Sequence, residues 1–169
     1  MPTKEEMLLD WLRDAHAMEQ QAITMLTAMA GRIENYPEVK ARIEQHIEET
    51  RRQASALESC IERRGGDTST VKDLMGKLMA MGQGLSGAFV SDEIVKGAMA
   101  GYTFEHMEIA TYKVLIATAD ACNDVDTSSV CQRILSEEIA MASWLEDNIE
   151  GLTLKFLSRS EQPSATARR

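Results

Sequence analysis

The chain has 169 residues and a formal net charge of −9, and these two properties limit the classes of protein that it can represent. The length is sufficient for one domain with a sizeable core. The acidic balance argues against a surface that binds nucleic acid or anionic membranes, because such surfaces are built from clustered Lys and Arg. A metal cation or a polycation is the more natural small partner.

The composition favours long helices. Aromatic residues make up 5% of the chain and 11 residues are methionine, which suits adaptable helix packing better than a β-sandwich. Cys60, Cys122 and Cys131 lack a Cys-x-x-Cys spacing and are expected to be reduced. We see no signal-peptide pattern at the start and no run near the roughly 20 apolar residues that a membrane span needs. A cytoplasmic location with no membrane partner is therefore expected.

The first helix is predicted to begin near residue 4, because Thr3-Lys4-Glu5-Glu6 has the pattern of a capping box. One stripe recurs at steps of four and three and contains a single carboxylate: Leu8, Leu12, Ala15, Glu19, Ala22, Leu26, Met29 and Ile33. Such a stripe is the seam of a helix bundle. Pro37 ends the helix, because the residue before a proline is pushed out of the helical region.

The second helix is predicted from about residue 37 to residue 64, before the Gly65-Gly66 pair. Its apolar stripe consists of Ile43, Ile47, Thr50, Ala54, Leu57 and Ile61. Glu48 lies on the opposite side and is expected to face solvent. His46 and Glu49, three residues apart, share the flank of the stripe and can lean inward.

Residues 65–90 form a long connection that is predicted to contain a short helix over 71–81 between glycine-rich loops. A connection of this length lets the third helix start at the opposite end of the bundle, which is the topology of bundles with one long crossover. The expected architecture is therefore an all-α, antiparallel four-helix bundle whose long crossover carries a short extra helix.

Two more helices complete the predicted bundle. The third opens at Ser91-Asp92-Glu93, ends near Cys122 and has the stripe Ala98, Tyr102, Glu105, Ile109, Tyr112, Ile116 and Ala119, with Glu108 one turn after Glu105. The fourth is predicted to be capped by Thr127 or Ser128, with the stripe Cys131, Leu135, Glu138, Ala142, Leu145, Ile149 and Leu152. The bundle is expected to span residues 1–157, followed by a disordered polar tail over 158–169.

Inward carboxylates are the chemical signal of this sequence. Carboxylates that cluster in a dry bundle repel one another unless they share protons, pair with Arg or Lys, or bind cations. The stripes contain no Arg or Lys, which favours metal ions held by carboxylates and one histidine. The predicted metal ligands are Glu19, His46, Glu49, Glu105, Glu108 and Glu138.

Several of these residues are equally consistent with roles that involve no metal. His46 is equally consistent with a hydrogen-bonded histidine at the helix flank, and Glu49 with a solvated face. His106 points about 100° away from Glu105 on the same helix and is expected to lie outside the site. His16 is equally consistent with a surface position.

The motifs that carry these acids resemble those of a known family. They are Asp14 and Ala17-Met18-Glu19, then His46-Ile47-Glu48-Glu49-Thr50 with Gln53, then Glu105-His106-Met107-Glu108-Ile109-Ala110-Thr111-Tyr112, and finally Leu135-Ser136-Glu137-Glu138. Over roughly residues 4 to 157 the chain resembles the YciE/YciF family of ferritin-like proteins. The resemblance implies a four-helix bundle related to rubrerythrin, often dimeric and associated with bacterial stress responses.

The sequence departs from the usual ferritin-like metal site. Such sites carry Glu-x-x-His on the second and fourth helices. Here Arg51 and Arg52 stand three residues after Glu48 and Glu49, and Met141 stands three residues after Glu138. These departures make a tight, redox-active di-iron centre less expected and leave open an oxygen-rich site for a harder ion or a vestigial site.

Three functions are consistent with these features. The leading hypothesis is a stress-associated ferritin-like protein that binds iron or another divalent metal inside the bundle and handles iron or peroxide. The alternative is a metal-free bundle that acts through association, as a homodimer or with another protein, in which the acids are protonated or hydrogen-bonded. A third is an oxidase or peroxidase, although the sequence identifies no substrate pocket.

Overall fold

The computed structural model describes residues 1–68 and 91–162 of the chain. These residues form four long helices, which we number α1 (Lys4–Ala30), α2 (Pro37–Arg63), α3 (Glu93–Ala121) and α4 (Val125–Ser160). The helix predicted over 71–81 and most of the crossover lie outside the described residues. Helix α4 continues to Ser160, so it passes the predicted domain end at residue 157 by three residues. Residues 163–169 of the predicted tail are not among those described.

The four helices pack as two hairpins side by side. Helix α1 packs most extensively on α2, and α3 on α4, while α1 also touches α3 and α2 touches α4. Helices α1 and α4 therefore face each other diagonally, as do α2 and α3. The fold is the four-helix bundle that the sequence predicts. None of the helices in the described part of the chain has the length and apolar character needed to cross a membrane.

Helix ends follow the local sequence with one exception. Thr3 accepts the backbone N–H of Glu6, and the Glu6 side chain accepts the backbone N–H of Thr3, so the predicted capping box is present. Helix α4 begins earlier than predicted, because Asp124 caps it by accepting the backbone N–H of Thr127. The predicted caps Thr127 and Ser128 are instead buried in the first turn, so that prediction was wrong.

The bundle core is divided along its length. One apolar cluster contains the N-terminal part of α1 and the C-terminal part of α2, and includes Leu12, Leu57 and Leu115. The other includes Ile43, Ile94 and Leu145 near the opposite end. On every helix the two clusters are separated by a middle stretch with buried polar side chains. The chain therefore places a polar layer halfway along an otherwise apolar core.

The predicted stripes of all four helices are confirmed as inward faces, although α3 buries only part of its predicted stripe, including Glu105, Tyr112 and Ala119. Tyr102, Ile109 and Ile116 are only partly buried. The buried face of α3 runs through Glu105, Glu108, Tyr112, Leu115 and Ala119, at steps of three and four. Both glutamates of α3, which the sequence predicts as metal ligands, lie on this buried face.

Candidate metal centre

The middle layer of the bundle brings together ionisable side chains from all four helices. They are Glu19 of α1, His46 of α2, Glu105 and Glu108 of α3, and Glu138 of α4, and each is at most 2% exposed. Each sits at a position that continues the apolar seam of its helix. Glutamate is rarely buried to this degree without a partner, so the layer is the chemically unusual part of the molecule.

Four of these residues converge on one point. His46, Glu105, Glu108 and Glu138 each offer a ligand atom, and these atoms lie within 4.8 Å of one another. The Nε2 atom of His46 is 3.3 Å from Oε1 of Glu105 and 3.5 Å from Oε2 of Glu138. Atoms that each bind one ion at about 2.1 Å lie at most about twice that distance apart, so small side-chain adjustments would suffice to hold an ion here.

Glu49 is close to this group without belonging to it. Its Oε2 atom lies 2.9 Å from Nδ1 of His46 and 3.3 Å from a guanidinium nitrogen of Arg42, while its Oε1 accepts the Gln45 amide at 2.8 Å. Both carboxylate oxygens are thus engaged on the α2 side. The Nδ1 contact fixes the imidazole ring and turns Nε2 toward Glu105 and Glu138.

Glu19 approaches the centre from α1, also outside the four-residue group. Its Oε1 accepts a hydrogen bond from the hydroxyl of Tyr112, a fully buried residue of α3. Tyr112 therefore does more than fill the core, because it fixes the position of one inward carboxylate. The structure brings four of the six predicted ligands together and places Glu19 and Glu49 next to them.

The hydrogen bonds available in the described structure do not satisfy the buried carboxylates. Atoms without a hydrogen-bond partner are Glu19 Oε2, Glu105 Oε2, Glu108 Oε1 and both Glu138 oxygens. Within the described ranges, the recorded ion pairs give Glu105 and Glu138 no cationic partner besides His46. Buried acceptors without partners are costly, and their convergence is the arrangement that a bound cation would complete. The donor set therefore fits a metal ion.

Burial also changes the acidity of these groups. Burial, together with the neighbouring Glu19 and Glu105 carboxylates, raises the pKa of Glu138 to about 11. Burial raises the pKa of Glu19 to about 8 despite the opposing hydrogen bond from Tyr112, and it holds the pKa of Glu108 well above its usual range. Without a cation, the centre stores protons on its carboxylates.

His46 is shifted in the direction that complements these acids. Burial alone would lower the pKa of the imidazole, but hydrogen bonding and charge from Glu105, together with the Glu49 hydrogen bond, raise it. In the metal-free protein the protonated ring therefore partly neutralises its acidic neighbours.

Other residues singled out from the sequence lie elsewhere. His106 is exposed, and its Nδ1 atom lies 2.9 Å from the carbonyl oxygen of Tyr102. His16 is half-buried on α1. Glu48 is exposed, as predicted, and it pairs with Arg51.

Two other residues named in the sequence analysis border the centre. Gln53 is buried and donates to Glu137 of α4 at 2.7 Å, which ties the second helix to the fourth beside the site. It lies seven residues after His46, on the same face of α2. Met141 stands where a ligand histidine is usual, and its buried side chain joins an apolar cluster instead.

A family model matches most of the chain. The family model described as "Domain of unknown function (DUF892)" matches residues 3–158 of the chain. The chain belongs to this family. The match covers α1, α2, α3 and all but the last two residues of α4, and the resemblance to YciF-like, ferritin-like proteins is confirmed.

Solved structures show how far the likeness of this DUF892 member extends. A protein from Xanthomonas campestris pv. campestris shares 39% sequence identity with this chain, with a TM-score of 0.81. The match covers 95% of this chain and 100% of the other. The E. coli stress protein YciF shares 21% identity with a TM-score of 0.73, over 92% of this chain and 99% of that chain. Both share the four-helix architecture of the described residues.

A ferritin relative has the same fold. The dodecameric thioferritin of Bacteroides fragilis, a bacterioferritin-related protein, shares 21% identity with a TM-score of 0.73. The match covers 91% of this chain and 90% of the thioferritin chain. At this identity the likeness establishes the fold of the DUF892 chain and no more, so the function has to be argued from the chain's own residues.

Proposed function

We propose that this protein binds a divalent metal ion, of the iron or manganese type, between its four helices. His46, Glu105, Glu108 and Glu138 would be the ligands, with Glu19 as a further carboxylate. The observation that carries the proposal is the convergence of these four ligand atoms within 4.8 Å in a fully buried layer.

The donor set favours a particular class of metal. One imidazole nitrogen and several carboxylate oxygens suit iron or manganese, whereas soft thiolates would favour copper or zinc. Cys60 and Cys131 belong to the apolar cluster beside Leu57, away from this layer. The oxygen-rich composition therefore supports a relatively hard ion.

Charge bears on the number of ions. The four buried glutamates Glu19, Glu105, Glu108 and Glu138 carry four negative charges when all are ionised. Two divalent ions would balance these charges, as in a di-iron centre. One ion would leave two negative charges to be neutralised by bound protons and by a protonated His46. We propose one ion among the four converging ligands and a second beside Glu19 as the fully loaded state.

The residues around the centre have distinct tasks. Glu49 holds Nδ1 of His46 so that Nε2 faces the ion, and Tyr112 holds Glu19. The apolar clusters at each end keep bulk water away from the layer. Bound there, a redox-active ion would exchange electrons with dioxygen or peroxide, which supports a role in iron or peroxide handling. The description of YciF as a stress protein is consistent with that role.

Metal analysis of the full-length protein purified without chelator tests the proposal. We expect one to two equivalents of iron or manganese, a higher melting temperature after metal is added to chelated protein, and loss of both effects in Glu105→Gln. Glu48→Gln is the matched control, because Glu48 is exposed on α2 and pairs with Arg51.

Two results together would reject the proposed metal site. A chelated protein that neither binds nor is stabilised by iron, manganese or zinc, and a Glu105→Gln variant that melts at or above the wild-type temperature, would reject the metal site. That pair of results would favour the metal-free bundle acting through association. Oligomeric state, including the predicted homodimer, remains a separate prediction that size measurement in solution can test.

A further inference from the structure

A small cavity adjoins the metal centre inside the second apolar cluster. Its volume is about 20 Å³, which is room for one molecule of the size of water or dioxygen. Its lining extends from exposed Asn148 to fully buried Glu105 and is otherwise almost entirely apolar. The residues that shape it are Met29, Gly97, Gly101, Trp144 and Leu145. We call it the Gly101 pocket.

Two glycines on the same face of α3 line this space. A Cβ atom at Gly97 would lie 2.6 Å from Cε of Met29, so the end of that side chain would have to shift to admit a larger residue. A Cβ atom at Gly101 would lie 3.6 Å from Cδ1 of Leu145, which is an ordinary contact. Glycine is unfavourable in a helix interior, yet packing does not require it at residue 101. What Gly101 provides is open volume.

The inner end of the pocket is chemically distinct. Glu105 lines it, is 2% exposed, and has an Oε2 atom without a hydrogen-bond partner. The same carboxylate belongs to the converging ligand group. A molecule that entered from the Asn148 side would therefore meet the metal centre at a ligand with an unused oxygen.

We propose that the Gly101 pocket is the site through which dioxygen reaches the metal centre. This inference rests on the proposed function and names the small molecule that the centre meets. Dioxygen is uncharged and apolar, so it loses little on leaving water for an apolar lining. Hydrogen peroxide would leave its O–H groups unpaired along most of the pocket, and an organic substrate exceeds the volume.

Xenon is the probe that tests the pocket independently of metal, because dry apolar cavities bind it. Crystals of the full-length, metal-free protein under xenon pressure should show an anomalous peak between Gly101 and Leu145. Gly101→Val should abolish the peak by filling the space. The matched control is Gly151→Val, since residue 151 is an exposed helix glycine with open space around it, and it should keep the peak.

A second measurement addresses dioxygen itself. Protein loaded with ferrous iron should consume dioxygen several-fold more slowly in Gly101→Val than in Gly151→Val, with equal iron content. Oxidation by added hydrogen peroxide should proceed at similar rates in both variants. If the valine variant does not fold, Gly101→Ala, whose methyl group the structure accommodates, should show the same ordering with a smaller difference.

The outcomes separate the pocket from the metal site. Metal binding without xenon in the wild-type pocket, or xenon binding that Gly101→Val leaves unchanged, would overturn this inference and spare the proposed function. Xenon binding in a protein that binds no metal would remove the proposed function and this role with it. Equal slowing of dioxygen and peroxide reactions would overturn the assignment to dioxygen.

Discussion

The imidazole of His46 is constrained at both ring nitrogens. Glu49 lies 2.9 Å from Nδ1, and Glu105 lies 3.3 Å from Nε2 on the opposite side of the ring. With Nδ1–H donated to Glu49, Nε2 is the nitrogen that can exchange its proton for a metal ion. The order of residues on α2 is therefore His-x-x-Glu, with the histidine facing the carboxylate cluster and the acid behind it.

Replacing Glu49 by glutamine should weaken metal binding without abolishing it. The amide keeps the size of the side chain but loses the charge that orients His46, and such losses reduce metal affinity by about tenfold or more. Calorimetric titration of chelated protein with manganese measures the effect, with Glu48→Gln as the control. A Glu49→Gln variant that binds no metal at all would show that Glu49 is itself a ligand.

The sequence reveals only part of the site at this scale. Glu19 and Glu138 could be predicted because each occupies a place in an unbroken apolar stripe. The role of Glu49 could not, because it depends on contacts with Arg42 and Gln45 that a helical periodicity does not specify. The Glu49 side chain lies at the edge of the seam. There its rotamer determines whether it would bind a metal ion directly or contact the ligand His46.

Metal-free protein should lose stability as pH rises from about 5 to about 8. Burial raises the pKa of Glu19 from 4.5 to about 8, so in this interval the folded protein binds a proton that the unfolded chain has released. Glu108, Glu138 and His46 also have raised pKa values and act in the same direction. Urea midpoints measured in the presence of a chelator should fall with pH.

A glutamine at position 19 provides the control for this pH dependence. Glu19→Gln resembles the protonated acid, so the urea midpoint of this variant should fall less steeply with pH than that of the wild type. Metal affinity should change oppositely and rise with pH, since the ion displaces protons from the carboxylates and from His46. A metal-free midpoint that rises with pH over the same interval would contradict the assigned shifts.

The start of helix α4 is fixed by the side chain of Asp124. Asp124 accepts the backbone N–H of Thr127 at 3.1 Å and its hydroxyl at 2.7 Å, and Arg64 of α2 contacts the same carboxylate at 2.6 Å. Partial burial alone would raise the pKa of Asp124, but these hydrogen bonds and Arg64 lower it. One side chain thus starts the helix and links it to α2.

Asp124→Ala should reduce the free energy of unfolding by about 1 to 2 kcal/mol, the usual cost of losing a capping side chain. Urea unfolding near neutral pH measures this loss. The lowered pKa means that the contribution exists above the ordinary pKa of 3.8 and disappears as pH falls through the folded value. Ser129→Ala, an exposed change in the same turn, is the control, and an equal loss there would refute the role of the cap.

Helix α3 shows why element phase is harder to predict than element existence. Its extent was predicted to within a residue or two, because Asp92 and Cys122 flank a continuous helical pattern. Its inward face was predicted only in part: Glu105, Tyr112 and Ala119 are buried as expected. Ile109 and Ile116 lie on the flanks and are only partly buried. When most positions are apolar, burial is decided by the neighbouring helices.

The whole bundle is arranged to hold one polar layer between two apolar ends. Every helix contributes an inward ionisable side chain at the same level, and the clusters on either side close it off from water. The four-helix architecture could be predicted from periodicity and capping signals. Ion number and identity could not, because they depend on distances between side chains that are far apart in sequence, such as His46 and Glu138.

Anomalous diffraction from crystals of the full-length protein loaded with manganese or ferrous iron tests the central claim most directly. We predict a peak within bonding distance of Nε2 of His46 and of oxygens of Glu105, Glu108 and Glu138, with a second peak beside Glu19 at full loading. The peaks should vanish in Glu105→Gln and persist in Glu48→Gln. A loaded crystal with no anomalous density among these side chains would contradict the account.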